Sequence, residues 1–145
     1  MRLEQNVILV PVLAQVVLTL TVAVLMYQAR VRSIRERGQR LRDIALATAA
    51  DWNDDARKAA NNYTSQFEMP VLFYAASAFA LATRTVDVAL MLLALGFVAS
   101  RIVHAYIHLG SNRVRPRFMA FLAGFVLVAG MWALIGWRAL SAGLL

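Results

Sequence analysis

Four long apolar runs separated by short polar segments leave this chain very few ways to fold. They cover residues 7–29, 62–82, 86–109 and 118–140. The first is interrupted only by mild residues, Pro11, Gln15, Thr19 and Gln28. Its roughly 23 residues would rise about 35 Å as a helix, enough to cross the hydrocarbon of a bilayer. An arginine cluster follows it in place of a small-residue cleavage site, so it reads as a retained span and not a removed leader. Of the 145 residues, 61% are apolar. Soluble domains hold about 45–50%, so the outward faces of these helices need lipid as their solvent. The expected architecture is all-α: an integral membrane four-helix bundle forming one domain over residues 1–145.

The absence of cysteine removes disulfides, thiolate metal sites and cysteine nucleophiles, so any thiol chemistry needs a thiol brought by a ligand. His104 and His108 are the only histidines, too few for a histidine-rich metal cluster, and no metal is expected. The net charge of +7 could suggest nucleic acid, but the basic residues lie mainly between the apolar runs. They read as topology signals, and no nucleic-acid partner is expected.

The one substantial polar segment, 30–61, opens with Arg30, Arg32, Arg35, Arg37, Arg40 and Arg42. Apolar residues at partly helical spacing within it, Ile34, Ile44 and Trp52 among them, predict some helix at the membrane interface, with breaks near Gly38 and at 52–55. Pro70 falls just inside the second run, where it is tolerated if neighbours satisfy the carbonyl it frees. Thr83 to Asp87 reads as a tight turn. Eight basic residues follow the first run, and Arg113, Arg115 and Arg117 lie between the third and fourth, whereas the other flanks hold only Arg2, Arg84 and Arg138. Both basic segments are therefore expected in the cytoplasm and both termini on the opposite side.

Ionisable residues at membrane depth are costly and point to function. Arg30 ends the first run, Glu68 sits early in the second, Arg101, His104 and His108 close the third, and Arg117 begins the fourth. In an up-down-up-down bundle all fall at one, cytoplasmic, level. Arg101, His104 and His108 are spaced i, i+3, i+7 and share a helix face, as do Ser65 and Glu68. Cations, one carboxylate, imidazoles and a hydroxyl together suit a polar, net-anionic small molecule. The plainer reading makes Arg30, Arg113, Arg115 and Arg117 snorkelling topology charges and the histidines packing residues. Arg101 lies too deep to snorkel and would then form a buried ion pair with Glu68.

The run Ser65, Gln66, Phe67, Glu68, Met69, Pro70, Val71, Leu72, Phe73, followed by Arg101 and His104 three apart and then by Asn112 and Arg113, resembles the MAPEG family, the membrane-associated proteins of eicosanoid and glutathione metabolism. The resemblance covers nearly the whole chain. It implies a homotrimer of four-helix protomers that binds glutathione, as co-substrate, between neighbouring protomers near the cytoplasmic side. It also implies that Glu68 is a glutathione-contacting carboxylate and that Arg30, Ser65, Arg101, His104 and His108 belong to the binding site. Arg117, or Arg115 if a gap is placed differently, would be the arginine that stabilises the glutathione thiolate. The chain departs from the family's pattern in having Ser65 where an Asn is usual and Asn61 and Thr64 where arginines often stand.

The leading expectation is thus a membrane-bound glutathione-dependent transferase or peroxidase acting on lipophilic electrophiles, of bacterial type and in the inner membrane. The first alternative is a noncatalytic protein of the same fold that binds lipids or partners. A third is a small multidrug transporter built on Glu68, against which stand the cations around that carboxylate.

Overall fold

The computed structural model describes residues 4–45, 48 and 51–141, which are helical almost throughout and include no strand. A 3-10 turn, Gln5–Ile8, leads into α1 (Leu9–Arg37). Then come the brief α2 (Leu41–Ile44), α3 (Asp54–Ser65), α4 (Met69–Ala82), α5 (Val88–Leu109) and α6 (Val114–Ser141). Three stretches among the described residues are long and apolar enough to cross a bilayer: Gln5–Arg37, Val88–Leu109 and Val114–Ser141. On α1 the side chains of Leu13, Val17 and Leu20 are each 61–62% exposed, an outward apolar stripe that lipid stabilises and water does not.

The helix ends follow from local chemistry. α1 continues through Arg37, so four arginines of the basic segment stand on its last turns. It stops at Gly38, whose φ of 61° lies in the left-handed region that glycine enters freely, and Gln39 N–H returns to Ile34 O at 3.2 Å. Asn53 caps α3, its Oδ1 accepting from Ala56 N–H at 2.9 Å, with Asp54 and Asp55 favourably placed in the first turn. The same Asn53 donates its backbone N–H to Ser33 Oγ at 3.0 Å and its Nδ2 to Glu36 Oε2 at 2.8 Å, which ties the start of α3 to the end of α1.

The apolar run 62–82 is not one helix. α3 ends at Ser65, residues 66–68 form a turn, and α4 begins at Met69. Pro70 therefore lies in the first turn of a new helix, where no intrahelical donor is needed, and it frees no carbonyl as a mid-helix proline would. With 14 residues, α4 by itself rises only about 21 Å.

α5 packs chiefly on α6, and α4 closes against both. Phe73 and Phe97, both fully buried, stack with centroids 4.7 Å apart and planes 14° off parallel. Gly124 lets α6 approach α5, since a Cβ there would lie 2.7 Å from Ser100 Oγ. At the end of the bundle away from the arginines, the 83–87 turn is held from both sides. Gln5 Nε2 donates to Val86 O and its Oε1 accepts from Val86 N–H, while Arg138 pairs with Asp87 and donates to Thr85 O.

Candidate functional site

The polar residues at the arginine-rich end are positioned by the last turns of α3 and α5 and the first of α6. Arg101, on α5, is 1% exposed. Its Nη2 donates to both the carbonyl oxygen and the Oγ of Ser65, each at 3.0 Å. Nε and Nη1 are buried without a hydrogen-bond partner among the described residues. The ion pair that the plainer reading gives Arg101 and Glu68 is not formed among the described residues. Glu68 stands at the head of α4 with its side chain exposed, and its charge reaches Arg101 only at longer range. The reason is the break in the helix: Ser65 and Glu68 would share a face on one continuous helix, but the turn at 66–68 divides them.

One α-turn further along α5, His104 is buried and its Nδ1 lies 3.1 Å from Arg117 O. A carbonyl can only accept, so Nδ1 carries the hydrogen. His108 packs its ring against that of His104, centroids 5.6 Å apart, and its Nδ1 is buried without a partner among the described residues. α6 begins before the apolar run it carries, which puts Arg115 and Arg117 on helical turns of fixed direction. Arg117 turns inward, half-buried, and donates Nη1 to Asn112 Oδ1 at 2.6 Å. Arg115 is exposed. Asn112 itself adopts φ 48°, a left-handed value that asparagine tolerates, and ends the turn leading into α6. Beside it opens a cleft of about 460 Å³ lined by Asp54, Arg57, Lys58, Asn61 and Asn112.

Of the residues singled out in the sequence, the fold brings Ser65 to Arg101, and His104 to His108 and Arg117. Arg30 joins neither pair among the described residues: it is exposed, its guanidinium 5.3 Å from the centre of the Trp52 ring. Three amides escaped sequence reasoning. Gln15, Asn62 and Gln66 are essentially fully buried. Gln15 Nε2 donates to Gln66 Oε1 at 3.0 Å, Gln66 Nε2 to Asn62 Oδ1 at 3.2 Å, and Asn62 Nδ2 to Ala105 O at 3.3 Å. The only signal available was an amide inside an apolar run, which Gln15 and Gln66 both supply.

Outward apolar helices and a buried cluster of arginine, imidazole, hydroxyl and amide groups toward one end define an integral membrane protein. The chain belongs to the MAPEG family, whose sequence profile matches residues 8–137. No curated protein and no solved structure is a significant match to it.

Proposed function

We propose that this chain is a membrane-bound glutathione-dependent transferase or peroxidase that acts on lipophilic electrophiles. Membership of a family of glutathione and eicosanoid metabolism supports the co-substrate. The observation that carries the chemistry is the inward Arg117, braced by Asn112 through its side chain and by His104 through its carbonyl. A guanidinium fixed near sulfur favours the thiolate. In conjugation the thiol proton passes to solvent, sulfur attacks the electrophilic carbon with its electron pair, and the leaving group departs with the pair of the broken bond. The half-buried, anchored Arg117 fits this role better than the exposed Arg115. Glu68, exposed at the break, is available to a ligand ammonium or amide, and Arg30 to a carboxylate. Arg101 acts behind Ser65 instead of touching the ligand, because its side chain is enclosed within one protomer.

In this reading α3, the break and α4 together make the fourth membrane crossing. Protomers assemble as a homotrimer with the site between them, and the basic segments face the cytoplasm of a bacterial inner membrane. A noncatalytic lipid- or partner-binding member of the family is the second reading, favoured by the enclosure of Arg101, which leaves fewer donors for a peptide ligand. Thiolate absorbance of bound glutathione in the ultraviolet, together with turnover of chlorodinitrobenzene, separates the two. The transferase reading expects both signals from the parent and the loss of both in Arg117→Ala, with Arg115→Ala close to the parent. Binding without thiolate or turnover supports the second reading.

A further inference from the structure

The buried amide chain crosses the bundle at the point where the second apolar run breaks. Its direction is fixed by its end. Ala105 O can only accept, so Asn62 must present Nδ2 to it. Oδ1 of Asn62 is then left to accept from Gln66 Nε2, and Gln66 Oε1 to accept from Gln15 Nε2. Each link joins a different part of the fold: α1 through Gln15, the turn through Gln66, α3 through Asn62 and α5 through Ala105. Gln66 is the middle member and the only one in the turn. Its Nε2 also approaches Asn62 O at 3.4 Å, and its backbone N–H donates to Tyr63 O at 3.0 Å.

The surroundings make this chain decisive for local geometry. Unpaired amides at membrane depth cost more than the net gain of a hydrogen bond in water, so Gln66 is held inward from both sides. The chain of residues then passes from Gln66, 1% exposed, to Phe67, 54% exposed, and to the exposed Glu68. Glu68 carries backbone angles of −90° and −88°, outside the helical region, and starts α4 without a capping bond from its own side chain. Among the described residues no hydrogen bond of its own fixes where its carboxylate stands.

We propose that Gln66 is a positioning residue: clamped between Gln15 and Asn62, it sets the turn that presents Glu68 at the protein surface. This rests on the reading of Glu68 as a ligand-facing carboxylate, and the test separates the two. The chain has no cysteine, so Glu68→Cys in the full-length, detergent-purified protein gives a single thiol whose reaction rate with a water-soluble maleimide reports on position 68. Gln66→Met keeps length and removes both links of the clamp, Gln15→Met removes one, and Gln66→Glu, as the neutral acid, retains a donor and an acceptor. The labelling rate, measured far below the melting temperature, is expected to change at least about threefold in Gln66→Met, less in Gln15→Met, and to return toward the parent in Gln66→Glu. A control cysteine at the exposed Ser111 should react at the parent rate in every background. An amide chain that only staples helices together would lower the melting temperature and leave labelling at position 68 unchanged, and that result overturns the proposal. If Gln66→Met does not fold, Gln15→Met carries the same comparison. With Glu68 intact, Gln66→Met should also weaken glutathione binding by at least about threefold. A parent that fails to bind glutathione defeats the functional reading, while the labelling arm still decides the role of Gln66.

Discussion

The pairing of Arg101 with Ser65 makes a counterintuitive ordering of two substitutions. Ser65→Ala removes the Oγ that accepts from Arg101 Nη2 and donates to Asn62 O at 2.8 Å. A hydrogen bond to a charged group contributes about 1.5–3 kcal/mol and a neutral one about 0.5–1.5, so the expected loss of stability is roughly 2–4.5 kcal/mol. A buried guanidinium is left behind with a single carbonyl acceptor. Arg101→Met removes two hydrogen bonds, but it also removes a buried cation whose Nε and Nη1 have no partner among the described residues. It leaves Ser65 Oγ still bonded to Asn62 O. Replacing a buried charge by an apolar side chain of similar length is often close to neutral, whereas removing its partner is not. Thermal unfolding in one detergent, followed by helical circular dichroism, should therefore find Ser65→Ala the less stable of the two. If Arg101→Met is clearly the more damaging, the free guanidinium nitrogens are satisfied from outside the protomer and the account of a self-contained pair is wrong.

Three further outcomes follow from other parts of the fold. Single cysteines at the exposed Arg40 and Ser111 should be shielded from an impermeant reagent added to intact cells, and labelling of both from outside would reverse the topology. Asp87 lies outside the membrane-spanning helix it caps. Burial raises its carboxyl, but the Leu90 N–H and the Arg138 guanidinium outweigh this and hold it below its usual 3.8. Its contribution to stability is then full above 3.8 and disappears as pH falls through the lower folded-state value, so Arg138→Met should flatten the acid end of the stability profile. Gly124→Ala should destabilise by about 1–3 kcal/mol because the new Cβ meets Ser100 Oγ, and Ser100→Ala in the same chain should recover part of that loss.

Much of the architecture was legible in the sequence because lipid imposes a simple rule on it. Three of the four long apolar runs become single helices; Gly38 ends one through its left-handed backbone, Asn53 caps α3, and the 83–87 turn separates α4 from α5. The i, i+3, i+7 spacing of Arg101, His104 and His108 correctly put all three on one face, and that face is buried. What the sequence left open were relations across helices. Hydropathy cannot see that the turn at 66–68 divides Ser65 from Glu68, so the plainer reading pairs Arg101 with Glu68 where the fold pairs it with Ser65. Nor can it pair Gln15 with Gln66, which lie 51 residues apart. Arg115 and Arg117 are equivalent as charges and differ only in the side of α6 they occupy, which is known once α6 is packed on α5.

Uptake of a thiol tripeptide at the arginine-rich end of this bundle is the first step of the proposed reaction. Its most direct test is the melting temperature of the detergent-purified protein as glutathione is raised. A ligand at a hundred times its dissociation constant adds about 2.7 kcal/mol to the folded state, so the account predicts a saturable rise of the melting temperature that is reduced in Glu68→Gln. A melting temperature that does not move with glutathione in the parent would contradict it.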